Sequence, residues 1–140
     1  MIFLGVVLLI VMNAIFVAVE FALIASRPLR LKEAAEDGNR NSIRALEAHK
    51  DLRRQLSGAQ LGITASSVIL GIIAEPSIGR LIHPIAEFFG ASETLAESIS
   101  WIVAIGLAGT IQLLLGEMVP KNLAVTAPEK TLQRLISVHR

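Results

Sequence analysis

Glu117 stands in the run Leu113-Leu114-Leu115-Gly116-Glu117-Met118-Val119-Pro120-Lys121, a carboxylate inside an otherwise apolar stretch. A charge in hydrocarbon costs at least about 2.5 kcal/mol, so such a residue is expected to face protein, water or a bound ion. Pro120, three residues on, has no N–H to give and frees a backbone carbonyl one turn earlier, around Gly116. A freed carbonyl beside a carboxylate is a plausible cation site. Other oxygen-bearing side chains occur in two further apolar stretches: Asn13 and Glu20 in the first, Gln60, Thr64, Ser66, Ser67 and Glu75 in the second. Carboxylate, hydroxyl and amide oxygens are hard donors, which suit Mg²⁺, Ca²⁺ or Na⁺ better than soft metals.

The elements that would position these groups are membrane spans. Hydrophobic residues make up 53% of the 140 residues, and the mean hydropathy is +0.62. The charges are gathered into a few segments instead of being spread over a surface. Three stretches reach the roughly 20 residues that a bilayer crossing needs, and none shows the polar face that a soluble helix would carry. The expected fold is all-α and integral to the membrane, with helices over about 2–26, 57–82 and 95–127 and a loop over about 27–56. The first stretch has no Lys or Arg before Arg27 and is too long for the apolar part of a signal peptide, so it reads as a retained span.

Eight basic residues lie between Arg27 and Arg54 (Arg27, Arg30, Lys32, Arg40, Arg44, Lys50, Arg53, Arg54), whereas the connection after the second span has only Arg80 and the acids Glu87, Glu93 and Glu97. The positive-inside rule then places the first loop and the C-terminus in the cytoplasm, with the N-terminus outside. The net charge of +1 hides this polarity. Acids interrupt the basic run and no aromatics are interleaved with it, so it reads as a surface touching lipid headgroups and not as a nucleic-acid site. Pro28 suits a first helical turn, and two short helices are expected around the Asp37-Gly38-Asn39 break. Glu75-Pro76 marks a bend, with residues 78–89 either continuing the helix or forming an interfacial hairpin. Ser92 begins the third span and Trp101 anchors its outer end.

With no cysteine in the chain, disulfides and thiolate chemistry are excluded. His49, His83 and His139 stand singly, which argues against a His-ligated transition metal. There is no nucleophile with a base, no phosphate-cradling glycine loop and no metal triad, so enzymatic activity is not expected.

At 1.5 Å per residue, Glu20 lies about 8–9 Å from the cytoplasmic end of its span, Gln60, Thr64 and Ser67 about 5–15 Å, Glu117 about 15 Å and Asn13 about 20 Å. Polar groups from three helices could therefore meet in the inner half of the membrane. Each also has a purely structural reading. Asn13 would hydrogen-bond across a helix interface, and Glu20 would pair with Lys121. Gln60, Thr64 and Ser66 would pack and cap backbone, and Gly62 and Gly71 would permit close helix approach.

Three strings in order, residues 13–23 (NAIFVAVEFAL), residues 60–64 (QLGIT) with Leu70-Gly71 and Glu75-Pro76 downstream, and residues 116–121 (GEMVPK), resemble the transmembrane domain of the CNNM and CorB/CorC magnesium transporters, also called hemolysin-related (HlyC/CorC-type). The resemblance covers nearly the whole chain. It implies a homodimer in the plasma (inner) membrane, each protomer having three membrane helices and a juxtamembrane belt helix, with Mg²⁺ held in an inward-facing cavity and Na⁺ as a coupling ion. By motif position, Asn13, Ser67, Gly116 and Glu117 would be the metal site, with Ser66, Glu20 and Thr64 as further candidates and Pro120, Lys121 and Gln60 in structural or gating roles. Gln112 stands where relatives often have His. The family continues into cytosolic CBS domains, whereas this chain stops at Arg140 in what reads as the start of the belt helix (Leu132, Leu135, Ile136, Val138). The expected function is Mg²⁺ transport or efflux. The alternative is a non-transporting Mg²⁺- or Na⁺-binding membrane sensor or anchor.

Overall fold

The computed structural model describes the backbone of residues 2–139 and the side chains of residues 3–136. Val138 and His139 among the residues above have side chains outside that range. Helix α1 (Ile2–Ala25) leads through Ser26 and Arg27 into α2 (Pro28–Glu36), and a turn at Gly38 gives α3 (Arg40–Lys50). The long α4 (Leu52–Phe88) follows, then α5 (Glu93–Ile111), a π-helical segment (Gln112–Met118), α6 (Val119–Thr126) and α7 (Pro128–His139). No strand occurs among the described residues. Three runs are long and apolar enough to cross a membrane: Phe3–Ala25, Leu52–Phe88 and Glu93–Thr126.

The helix boundaries follow local chemistry. Pro28 occupies the first turn of α2, where its missing N–H costs nothing. The Asn39 side chain caps α3 by accepting from the backbone N–H groups of Asn41 and Ser42. Gly38 and Gly90 adopt φ of 88° and 87°, left-handed backbone that ends α2 and α4 cheaply. The second span is longer than its expected 57–82, because neither Pro76 nor Pro84 ends α4. Each proline removes one helical bond, a loss that membrane helices tolerate when a neighbour packs alongside. Residues 78–88 thus continue the helix and form no hairpin.

The core lies at one end of the bundle. Val19, Ala22 and Leu23 of α1 are sealed by Leu31 of α2, Ala45 and Ala48 of α3, Ala124 of α6, and Leu132 and Ile136 of α7. Leu52 and Leu56, which begin α4, pack on the same cluster, so α4 runs antiparallel to α1 and the third run returns to the shared end. Away from this cap the interfaces use small residues: Ala74 of α4 and Ala96, Ser100 and Ala104 of α5 are buried, as suits backbones in close approach within lipid. The third run changes partner along its length. Its first part, α5, packs mainly on α4, whereas the π segment and α6 pack on α1.

Candidate functional site

The change of partner happens at Pro120. Without its N–H, the Gly116 carbonyl loses its usual donor four residues on, and the proline ring crowds that carbonyl. The backbone answers by widening: the Val119 N–H reaches the Leu114 carbonyl, five residues back, and the chain keeps right-handed helical angles on both sides. Such π turns are rare and often coincide with functional sites. The expected loosening at Gly116 is therefore present, as a widened turn and not a break.

Asn13 of α1 takes the freed carbonyl. Its side chain is fully buried, and Nδ2 donates to Gly116 O at 3.0 Å. The carbonyl is an acceptor only, which orients the amide and turns Oδ1 toward α4. There Ser67 Oγ donates to Oδ1 at 3.2 Å, and Ser66 Oγ lies 2.9 Å from it. Ser66 is also 2.7 Å from Gly62 O and 3.1 Å from Ile63 O, so its single proton serves one acceptor at a time. Gly116 is required for the approach, since a Cβ there would lie 2.9 Å from Asn13 Nδ2. One amide thus ties three spans together at mid-bundle.

Of the residues picked from sequence, the structure joins Asn13, Ser66, Ser67 and Gly116. Glu117 follows Gly116 in sequence and is half-buried, and among the described residues its carboxylate makes no hydrogen bond or ion pair. Thr64 and Gln60 stand apart. Both are exposed, and the Thr64 hydroxyl donates to the Gln60 carbonyl at 2.9 Å, the backbone-capping role. They share a stripe of α4 offset from the one that brings Gly62 and Ser66 to α1. Glu20, half-buried, is a full two turns nearer the cap than Asn13.

The expected Glu20–Lys121 pair is not formed. Lys121 Nζ instead sits 4.6 Å from the centroid of the Phe21 ring, the residue after Glu20. A cation over an aromatic face is stabilised by about 0.5–2 kcal/mol, which suffices to hold the ammonium without a carboxylate. Gly71 also departs from expectation, having nothing within 4 Å of where a Cβ would be, whereas at Gly62 a Cβ would lie 2.7 Å from the Phe16 ring. Phe16 is the contact that sequence reasoning missed. Its only signal was a phenylalanine one turn from Asn13, matched by a glycine one turn from Ser66.

Among the described residues no three His, Asp or Glu side chains gather as a metal site. Any cation at the crossing would be held by few charges and by hydroxyl, carbonyl and water oxygens.

The family described as the cyclin M transmembrane N-terminal domain (CNNM) matches residues 4–140. The uncharacterized protein Rv1841c of Mycobacterium tuberculosis is 40% identical over 129 residues, covering 92% of this chain and 36% of that protein. The UPF0053 proteins YhdT and YhdP of Bacillus subtilis are 38% and 36% identical, covering 87% and 89% of this chain but 26% and 28% of their own lengths. The chain therefore spans about a quarter to a third of the relatives it matches.

Proposed function

This chain belongs to the CNNM transmembrane family, and from that premise we propose that it moves Mg²⁺ across the membrane through the crossing at Asn13. It is an integral membrane domain. In this reading the basic loop and the C-terminus face the cytoplasm across the plasma (inner) membrane, following the charge asymmetry of the connections.

The observation that carries the proposal is the meeting of Asn13, Ser67 and the proline-freed Gly116 carbonyl inside three spans, with the unpaired Glu117 carboxylate next in sequence. Oδ1 of Asn13 already receives hydroxyl protons, so Asn13 acts chiefly as organiser. The remaining lone pairs of Ser67 Oγ and Gly116 O, with the Glu117 carboxylate, are the donors to a partly hydrated ion. Ion binding would shift the balance between inward- and outward-open states, with Na⁺ as coupling ion. Exposed apolar residues along α4 and α5, such as Leu61, Ile72 and Ile102, would be covered by lipid and by a second copy in a homodimer.

The test is flux. In liposomes loaded with a Mg²⁺-sensitive dye, the wild-type protein moves Mg²⁺ down an imposed gradient, and Glu117→Gln reduces the rate by at least about tenfold, as expected when a charge that meets the ion in transit is removed. Mg²⁺-dependent thermal stabilisation without flux would favour the sensor or anchor reading instead.

A further inference from the structure

A chamber of about 600 Å³ opens at the start of α4, with Glu47 of α3, Asp51, Arg54, Gln55 and Gly58 among its walls and Phe16 of α1 on one side. Its polar walls make it a place for water and ions. One turn along α4 from Gly58 is Gly62, and one turn further is Ser66; on α1, Phe16 is one turn from Asn13 toward the cap. Chamber, aromatic ring and crossing are therefore stacked in that order along both helices.

The ring closes tightly on α4. A Cβ added to Gly62 would lie 2.7 Å from the Cδ1, Cδ2 and Cε1 atoms of Phe16, so the ring lies against bare backbone, with no room for a water between them. The carbonyl of that same Gly62 is 2.7 Å from Ser66 Oγ, which in turn reaches Asn13 Oδ1. An apolar ring seated on a glycine thus borders the polar crossing directly.

We propose that the Phe16 ring, seated on Gly62, is the barrier between the polar chamber at the basic end and the oxygens at the Asn13 crossing, and that its displacement sets access for a hydrated cation. The proposal rests on the transport reading and names the residue that controls entry to that site. A cation that keeps its waters is too large to pass a ring in contact with backbone, so the ring must swing off Gly62 for the ion to enter. Gly62 supplies the flat seat, and any side chain there would hold the ring away.

The absence of cysteine makes access directly measurable. Ser67→Cys places a thiol at the crossing and Gln55→Cys places one in the chamber. Each is introduced singly into the chain in sealed vesicles and reacted with a positively charged methanethiosulfonate applied to the face that carries α2 and α3. If the open state is populated at no more than about 10%, Phe16→Ala accelerates labelling at position 67 by about tenfold or more and leaves position 55 unchanged. Phe16→Leu, which keeps an apolar contact to α4, gives a smaller rise at 67 and guards against loss of fold in the alanine variant. Equal labelling of position 67 with and without Phe16 overturns the proposal. So does an equal rise at both positions, which would mark loosening of the whole bundle. Labelling is performed without Mg²⁺, so a failure of the transport reading shows in the flux assay and leaves this result standing.

Discussion

At the end of the bundle where α2, α3 and α7 gather on α1, Leu23, Leu31 and Leu132 are sealed by other apolar side chains. About ten residues along α1, at Asn13, the same helix is held to its neighbours by an amide, hydroxyls and a carbonyl. The difference reflects the solvent. Near water, burying a leucine removes apolar surface from a medium that rejects it. Within lipid that gain vanishes, because the tails are as apolar as the side chains, and spans associate through close packing and polar contacts. The cap is therefore sealed by leucines, Val19 and Ile136 packed with alanines, all apolar, whereas the crossing uses Asn13, Gly62, Ser66 and Gly116.

The contrast is broken most forcefully at the cap. Leu132 is fully buried among residues from five helices, and Leu132→Ala is expected to destabilise the protein by about 2–5 kcal/mol in thermal or denaturant unfolding in micelles. A loss well below about 1 kcal/mol would show that the cap's packing is not what holds the spans at that end.

A smaller effect is expected at the crossing. Asn13→Ala strands the Gly116 carbonyl that Pro120 has already deprived of its helical donor, at a cost of about 1–2 kcal/mol. Pro120→Ala in the same background restores an N–H to that carbonyl, so the double variant should recover part of the loss. Absence of recovery would mean that Asn13 does not serve the carbonyl left free by the proline.

Much of this was legible because it depends on local rules. Pro28, Asn39, Gly38 and Gly90 mark helix ends by their own backbone chemistry, and the three spans follow from hydropathy. Even the loosened carbonyl at Gly116 could be counted back from Pro120. What sequence could not supply was helix rotation. Thr64 and Ser66 look equivalent in a string, yet a difference of two residues turns one outward and the other onto Asn13. The same limit explains Lys121, for which Glu20 was the expected partner; Phe21 is its neighbour in sequence, and only the azimuth of α6 against α1 decides for the ring. Extension of α4 through Pro76 and Pro84 likewise depends on α5 packing alongside, a tertiary fact.

The finest test separates adhesive from ligand at a single oxygen. Ser67 donates to Asn13 Oδ1 at 3.2 Å, but Ser66 approaches the same atom at 2.9 Å and remains when Ser67 is cut back. Ser67→Ala should therefore cost only about 0.6 kcal/mol or less in the absence of Mg²⁺, the usual scale of a polar contact between membrane helices. If Ser67 Oγ is also a donor to the ion, the rise in melting temperature on adding Mg²⁺ shrinks in this variant by far more than the metal-free change, because lost affinity lowers the stabilisation that a given ion concentration provides. Ser66→Ala gives the opposite pattern, since Ser66 is fully buried with its hydroxyl within reach of three protein acceptors. Its loss would lower metal-free stability and leave the Mg²⁺-induced rise largely intact. Should both serines leave that rise untouched, the crossing would be glue throughout, differing from the cap in the chemistry of its contacts and not in purpose.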